Sequence, residues 1–146
     1  MILTDKQIAE IAANLEFGMR CFYNLKTGVI KEVPDFTNWA GMDEESWDDE
    51  FEEIDGNRED YFEFEGKDSH NDFKIMADFA DTIDDEELQD TLYNALNRPK
   101  PFSNFKWEID NSGAYRQQWF DFKQQRYIEW VQDQIDYYNR KVDTDE

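Results

Sequence analysis

The amino-terminal pattern of hydrophobic and polar positions predicts a helix. Apolar residues recur at the three- and four-residue spacing of one helical face, at Ile8, Ile11, Ala12 and Leu15. Thr4 and Gln7 fit a capping box, in which each side chain satisfies a free backbone N–H of the first turn. The pattern therefore predicts a helix over 5–16 that ends near Gly18.

Three segments that follow this helix are patterned as strands. Apolar and other side chains alternate over 19–25, which predicts a strand with one face turned towards a core. Gly28 suits the left-handed position of a short turn, and a returning strand is expected over 29–33. The aromatic run over 60–65 predicts a third strand.

The rest of the chain is patterned for helices. A short amphipathic helix is predicted from three apolar residues at helical spacing, Trp47, Phe51 and Ile54. Ser69 and Asp84 are suitable caps for two further helices. Apolar residues over 102–109 predict a short helix, and a long aromatic helix is expected over 114–140.

The order of these elements predicts an α+β fold, because the strands come first and the helices last. We expect a small antiparallel three-stranded meander, packed on one face by the N-terminal helix and the C-terminal helical region. A length of 146 residues is that of one ordinary domain. The prediction is a single domain over 1–142, followed by a charged tail at 143–146.

Charge is distributed unevenly along this chain. The chain has 36 acidic and 15 basic residues, and 13 of the acidic residues lie within 43–65. Its aromatic content of 16% excludes a fully disordered acidic chain. The expected partner is a basic protein, which would bind an acidic face formed by Asp43, Glu44, Glu45, Asp48, Asp49 and Glu50. The competing interpretation is a solvated face that only maintains solubility.

The C-terminal part combines basic and aromatic residues. Its basic side chains are Arg98, Lys100, Lys106, Arg116, Lys123 and Arg126. Such a set could bind single-stranded nucleic acid, with bases stacked on the aromatic rings. We favour a core role for these aromatics, because rings at helical spacing such as Trp119, Phe122 and Trp130 usually face a core. Nucleic acid is therefore the less favoured partner.

Catalytic residue types are scarce. His70 and Cys21 are the only residues of their types; His70 is expected to be exposed and Cys21 to be a small core residue. No cofactor motif or EF-hand pattern is present, and the sequence favours a non-enzymatic protein. A carboxylate-dependent hydrolase or a weak divalent-metal binder is the remaining alternative. Without a signal peptide or a membrane-spanning segment, we expect a cytoplasmic protein that does not bind membranes.

Residues 94–130 contain a pattern that is similar to that of a known protein family. The residues concerned are Asn94-Ala95-Leu96, Arg98-Pro99, Pro101-Phe102, Phe105-Lys106, Trp119-Phe120-x-Phe122 and Glu129-Trp130. This pattern resembles a bacterial group catalogued as uncharacterised protein family 0158. The resemblance implies a small α+β domain in the cytoplasm. It implies no activity, ligand or catalytic residue.

Overall fold

The computed structural model describes residues 1–35 and 44–144, which form six α-helices and one three-stranded sheet. The elements are α1 (Asp5–Glu16), β1 (Met19–Asn24), β2 (Ile30–Pro34), α2 (Asp48–Gly56), β3 (Tyr61–Phe64), α3 (Ser69–Asp81), α4 (Glu86–Leu96), α5 (Pro101–Asp110) and α6 (Tyr115–Thr144). Two 3₁₀ turns, Glu44–Trp47 and Arg58–Asp60, flank α2. The α+β class is confirmed.

The predicted capping box forms at the start of α1. The backbone N–H of Gln7 donates to the Thr4 hydroxyl at 3.1 Å, and the N–H of Thr4 donates to the Gln7 side chain at 2.9 Å. Its buried side chains are the four predicted ones. In the following hairpin, Gly28 has a φ of 78°, the left-handed conformation that glycine adopts without steric cost.

The order of the strands differs from a meander. The strand β1 lies in the centre and pairs antiparallel with β2 on one side and β3 on the other. The predicted meander connectivity is wrong, since it would place β2 in the centre. Burial explains the observed order: β1 carries the buried Cys21 and Phe22, whereas β2 carries half-buried Lys31 and Glu32, which suit an edge strand.

Helices cover both faces of the sheet, not one as predicted. On one face, a buried cluster joins Phe22, Val33 and Tyr61 to Ile54 of α2. Trp47 and Phe51 pack against this cluster, as the amphipathic pattern predicted. On the other face, α1 packs against β1, where the Cys21 thiol lies 4.0 Å from the Ile11 carbonyl oxygen. The short helix α2 therefore completes the second face.

The chain divides into two compact units. Unit 1 comprises Met1–Gly66 with Tyr127–Glu146, and unit 2 comprises Lys67–Arg126. Unit 1 contains the sheet, α1, α2 and the C-terminal part of α6. Unit 2 contains α3, α4, α5 and the beginning of α6. The single domain over 1–142 stays a prediction. Helix α6 continues to Thr144, into the segment expected as a charged tail, and the last two residues lie outside the described part.

In two helices of unit 2, the capping residue is one position away from the predicted one. The cap of α3 is Asp68, not Ser69, and its carboxylate accepts the N–H of Asn71 at 2.9 Å. The cap of α4 is Asp85, not Asp84. Aspartate caps a helix as well as serine does, so adjacent polar residues compete for this position and sequence alone does not choose between them.

Candidate functional site

The predicted acidic face lies at the start of α2. Glu45 is exposed in the preceding 3₁₀ turn, and Asp48 and Asp49 are exposed in the first helical turn. Glu44 begins the same 3₁₀ turn, and Asp43 lies outside the described residues. Carboxylates in a first turn interact favourably with the positive end of the helix dipole, so part of this charge stabilises α2 itself.

Glu50, the sixth predicted residue, is directed towards the protein's own Lys31. The Lys31 ammonium lies 3.0 Å from Glu50 and 3.7 Å from Glu53. The hydrogen bond to Glu50 is the main cause of a raised Lys31 pKa. Tyr61 also donates to Glu53, at 2.5 Å, and its pKa is raised by burial first and then by this bond. This side of α2 is therefore occupied by internal contacts.

The six predicted basic residues divide into two groups, all within unit 2. Arg98 and Lys100 are exposed just before α5, and Lys106 is exposed in the middle of this helix. The other three lie over aromatic rings of the protein: Arg116 over Phe120, Lys123 over Trp119 and Arg126 over Phe122. Arg116 also pairs with Asp110 at 3.2 Å, and Arg126 with Asp78 at 2.8 Å. These contacts neutralise part of the basic face.

The aromatics of unit 2 are partly core and partly surface. Phe105 and Trp119 are buried, and their ring centroids lie 4.8 Å apart in an edge contact, as the core interpretation predicts. Phe102, Trp107 and Phe120 are exposed, and Trp107 is 64% exposed. Unit 2 therefore presents three aromatic surfaces near the exposed basic side chains.

A groove in unit 1 was not predicted. It has a volume of about 350 Å³ and lies between β3 and the C-terminal part of α6. Its lining comprises Phe62, Glu63, Glu65, Trp130, Asp133, Gln134 and Tyr137. The four residues from α6 recur at the spacing of one helical stripe. That stripe flanks a buried one formed by Tyr127, Val131 and Ile135.

Hydrogen bonds fix the walls of this groove. The backbone N–H of Glu65 donates to Gln134 Oε1 at 2.8 Å, and Gln134 Nε2 donates to the Glu65 carbonyl at 3.0 Å. The Trp130 indole N–H donates to the same carbonyl at 2.7 Å. The ring of Phe62 makes an edge contact with Tyr138, at a centroid distance of 5.3 Å. The aromatic and amide walls are therefore held to the end of β3.

The acidic groups of the groove differ in their partners. The Glu63 carboxylate pairs with two arginines, at 2.9 Å from Arg20 and 3.1 Å from Arg58. Glu65 and Asp133 are exposed, and within residues 1–35 and 44–144 no cationic side chain pairs with either carboxylate. The groove thus combines two carboxylates that lack an internal cation with aromatic walls, a combination that suits a cationic ligand.

The sequence contained a partial signal for this groove. The helical spacing predicts a core face for Trp130 with Trp119 and Phe122, yet Trp130 is half-buried and its indole N–H donates to the Glu65 carbonyl. Asp133 and Gln134 follow it on the same helical stripe, and polar residues beside an aromatic stripe mark a boundary between core and surface. The partner segment on β3 is distant in sequence, so the pattern on α6 alone does not reveal a groove.

Cys21 and His70, the remaining candidates for catalytic chemistry, lie in different surroundings. Cys21 is fully buried and His70 is exposed in the first turn of α3, as predicted. In the described part of the chain, no group of three or more His, Cys, Asp or Glu residues is positioned to hold a metal ion. No helix among the described residues is both long and apolar enough to cross a membrane. The hydrolase and divalent-metal alternatives stay predictions.

Comparisons with known proteins place the chain in a family. No curated protein and no solved structure matched it. The model of an uncharacterised protein family (UPF0158) matches residues 29–142. This match includes β2, β3 and all helices from α2 to nearly the end of α6. Because it covers well over half of the 146 residues, the chain belongs to the uncharacterised protein family UPF0158.

Proposed function

We propose that this protein is a non-enzymatic interaction module of the cytoplasm, which binds a basic protein partner through unit 1. The observation that carries the proposal is the groove between β3 and α6. The acidic residues Glu65 and Asp133 line this groove together with the aromatic residues Trp130 and Tyr137. A basic segment would gain both charge pairing and contact with aromatic surface in such a groove.

The outward side of α2 supports the same proposal. Asp48, Asp49, Glu52 and Asp55 are all exposed. Asp48 and Glu52 are four residues apart, and Glu52 and Asp55 are three apart, so like charges are neighbours on the helix surface. Each such pair destabilises a helix by about 0.2–0.5 kcal/mol. A basic partner would relieve this repulsion, so the binding of cations to this acidic surface would be favourable.

A binding titration with defined peptides tests this function. The probe is a fluorescein-labelled 12-residue peptide of alternating Arg-Ser and Lys-Ser pairs, and its control replaces every basic residue with Gln. We expect anisotropy to report binding of the basic peptide alone. Affinity should fall more than about tenfold between 50 and 300 mM NaCl, because exposed charge pairs are screened. An absence of binding, or binding that is unchanged by salt, would contradict the proposal.

Charge variants locate the surface. The triple variant Asp48→Asn, Asp49→Asn, Glu52→Gln removes three outward charges of α2. The matched control removes three exposed acids of α4, with Glu86→Gln, Glu87→Gln and Asp90→Asn. Since both changes alter the net charge equally, a general field effect would weaken binding equally. We expect the α2 variant to weaken binding at least about threefold more than the control.

Nucleic-acid binding by unit 2 is the second candidate. The observation that favours it is the exposure of Phe102 and Trp107 on α5, beside the exposed Lys106. Base stacking contributes about 1–3 kcal/mol per base, so the variant Trp107→Ala should weaken binding of a labelled 20-nucleotide deoxythymidine strand at least about fivefold. If the strand fails to bind at 50 mM NaCl, this candidate is wrong. If it binds Trp107→Ala equally well, the stacking surface lies elsewhere.

A further inference from the structure

Unit 1 already contains one arrangement that binds guanidinium groups. The Glu63 carboxylate accepts two hydrogen bonds from Arg20, at 2.9 and 3.1 Å, and one from Arg58 at 3.1 Å. Both guanidinium groups also lie over the ring of Phe22, at 5.1 and 5.4 Å from its centroid. A carboxylate beside an aromatic face is therefore a combination that holds arginine in this protein.

The groove between β3 and α6 repeats this combination. Besides Glu63 itself, its lining includes the acidic residues Glu65 and Asp133 and the aromatic residues Phe62, Trp130 and Tyr137. Tyr137 is 64% exposed, so its ring is accessible from solvent. In the described residues, no guanidinium pairs with Glu65 or Asp133. Glu65 and Asp133 thus line the groove together with the exposed Tyr137 ring, without a paired arginine of their own in the described residues.

We propose that this groove binds an arginine side chain of the basic partner. The inference rests on the proposed function, and it adds the site and the residue type that the site recognises. The guanidinium would pair with Glu65 and Asp133 and lie against the exposed ring of Tyr137. With a volume of about 350 Å³, the groove has room for the side chain and the adjoining peptide backbone.

Arginine fits this groove better than lysine for two physical reasons. Its guanidinium is planar and weakly hydrated, so it stacks on an aromatic ring at a lower desolvation cost than an ammonium. It also presents a fork of N–H donors that can engage a carboxylate through two bonds, as Arg20 does with Glu63. An ammonium presents a compact charge that gains less from the ring and the carboxylates together.

Three matched peptides test the recognition. They share the sequence Gly-Ser-X-Ser-Gly, with arginine, lysine or citrulline at X; citrulline has nearly the shape of arginine without its charge. Binding is measured by calorimetry with the full chain at 50 mM NaCl. We expect the arginine peptide to bind about five- to tenfold more tightly than the lysine peptide. The citrulline peptide should not bind measurably.

The indole N–H resonance of Trp130 locates the bound peptide. It is assigned with the variant Trp130→Phe, and its ¹H–¹⁵N shift is followed during titration. Because this N–H is bonded to the Glu65 carbonyl inside the groove, we expect its shift to move with saturation by the arginine peptide. The indole resonance of Trp107, in unit 2, should stay in place.

A pair of double variants separates the groove from general charge. Glu65→Gln with Asp133→Asn removes the two groove carboxylates that have no paired arginine in the described residues. Asp136→Asn with Asp143→Asn removes two exposed charges of α6 outside the groove. We expect the first pair to weaken binding of the arginine peptide at least about tenfold, and the second to change it less than about twofold. All four residues are exposed, so the thermal unfolding temperature should be retained.

The outcomes distinguish this inference from the proposed function. If the lysine peptide binds as tightly as the arginine peptide, or if the groove variant binds normally, the inference is wrong. The proposed function still holds in that case, provided that the 12-residue basic peptide binds and depends on the α2 carboxylates. If no basic peptide binds, both are wrong.

Discussion

The side-chain amide of Gln134 hydrogen-bonds to both backbone groups of Glu65, at 2.8 and 3.0 Å. Leu25 donates its N–H to Asp60 at the other end of β3, and alternate residues of an antiparallel strand bond to the same neighbour. By this alternation, Phe62 and Phe64 bond to β1, and the backbone of Glu65 points away from it. The Gln134 side chain therefore bonds to the edge of β3 that faces away from β1, where the backbone of a further strand would pair.

Loss of this amide should destabilise the junction of β3 and α6. The variant Gln134→Ala leaves the N–H of Glu65 without its protein acceptor, and the carbonyl retains only Trp130. We expect the free energy of unfolding, measured by urea denaturation, to fall by about 1 kcal/mol. The control is Gln132→Ala, because Gln132 donates to the Asp136 side chain on the same helix. An equal effect of both variants would show that the amide pairing with Glu65 adds nothing.

Two phenylalanines of α5 offer a matched test of the core of unit 2. Phe105 is 1% exposed and contacts the ring of Trp119, whereas Phe102, three residues earlier, is 43% exposed. Phe105→Ala should cost about 3–5 kcal/mol because it opens a cavity. Phe102→Ala should cost less than about 0.5 kcal/mol. Urea denaturation followed by far-ultraviolet circular dichroism measures both, and a similar cost for the two would mean that α5 presents another face to the core.

Local signals in the sequence predicted the first half of the fold well. The capping residues Thr4 and Gln7 act over three positions, and Gly28 acts within one turn. Such interactions depend on neighbours in the chain, so α1 and the hairpin were placed within about one residue. The adjacent aspartates at the start of α4 show the limit of local signals, since two equivalent caps compete there.

The strand order and the groove depend on distant residues and could not be predicted. Gln134 and Glu65 are separated by 69 positions, and neither residue type predicts a partner at that distance. The central position of β1 likewise depends on where the chain returns after α2. Of the predicted acidic face, Glu50 pairs with Lys31 of the strand β2, a contact that the sequence pattern does not show.

Acidic pH should lower the stability of unit 2, because it protonates the Asp78 carboxylate. Its pKa is lowered, first by the hydrogen bond from Lys74 and also by that from Arg126, against the opposing effect of burial. A lowered pKa in the folded state means that the stabilisation is complete above the unfolded value of 3.8 and is lost as pH falls through the folded value. The variant Asp78→Asn should therefore reduce stability at pH 7 by about 1 kcal/mol and have a smaller effect near pH 2.

Urea denaturation at pH 7, 4 and 2 measures this dependence. The control is Asp90→Asn, which removes an exposed carboxylate of α4 outside the contacts of Asp78 with Lys74 and Arg126. If the cost of Asp78→Asn were constant between pH 7 and pH 2, the carboxylate would not be the source of the stabilisation.

The thiol of Cys21 should remain protonated in the folded protein. Burial raises its pKa from 9.0 to about 12, with smaller contributions from the charges of Glu32 and Glu63. Since the thiolate is the reactive form, alkylation by iodoacetamide at pH 8 should be about a thousandfold slower in the native protein than in 6 M guanidinium chloride. A raised pKa also means that the stabilisation is complete below about pH 9 and is lost as pH rises towards 12.

The variant Cys21→Ala isolates the alkaline effect, because it keeps the site small and apolar without a titrating group. Between pH 8 and pH 10.5 the parent protein should lose about 2 kcal/mol more stability than the variant, since only its unfolded state ionises the thiol in that range. Parallel loss of stability in the two proteins would show that the thiol ionises as readily in the folded state. Rapid native alkylation would instead show that the packing of α1 on β1 opens, because the reagent cannot reach a residue at 0% exposure otherwise.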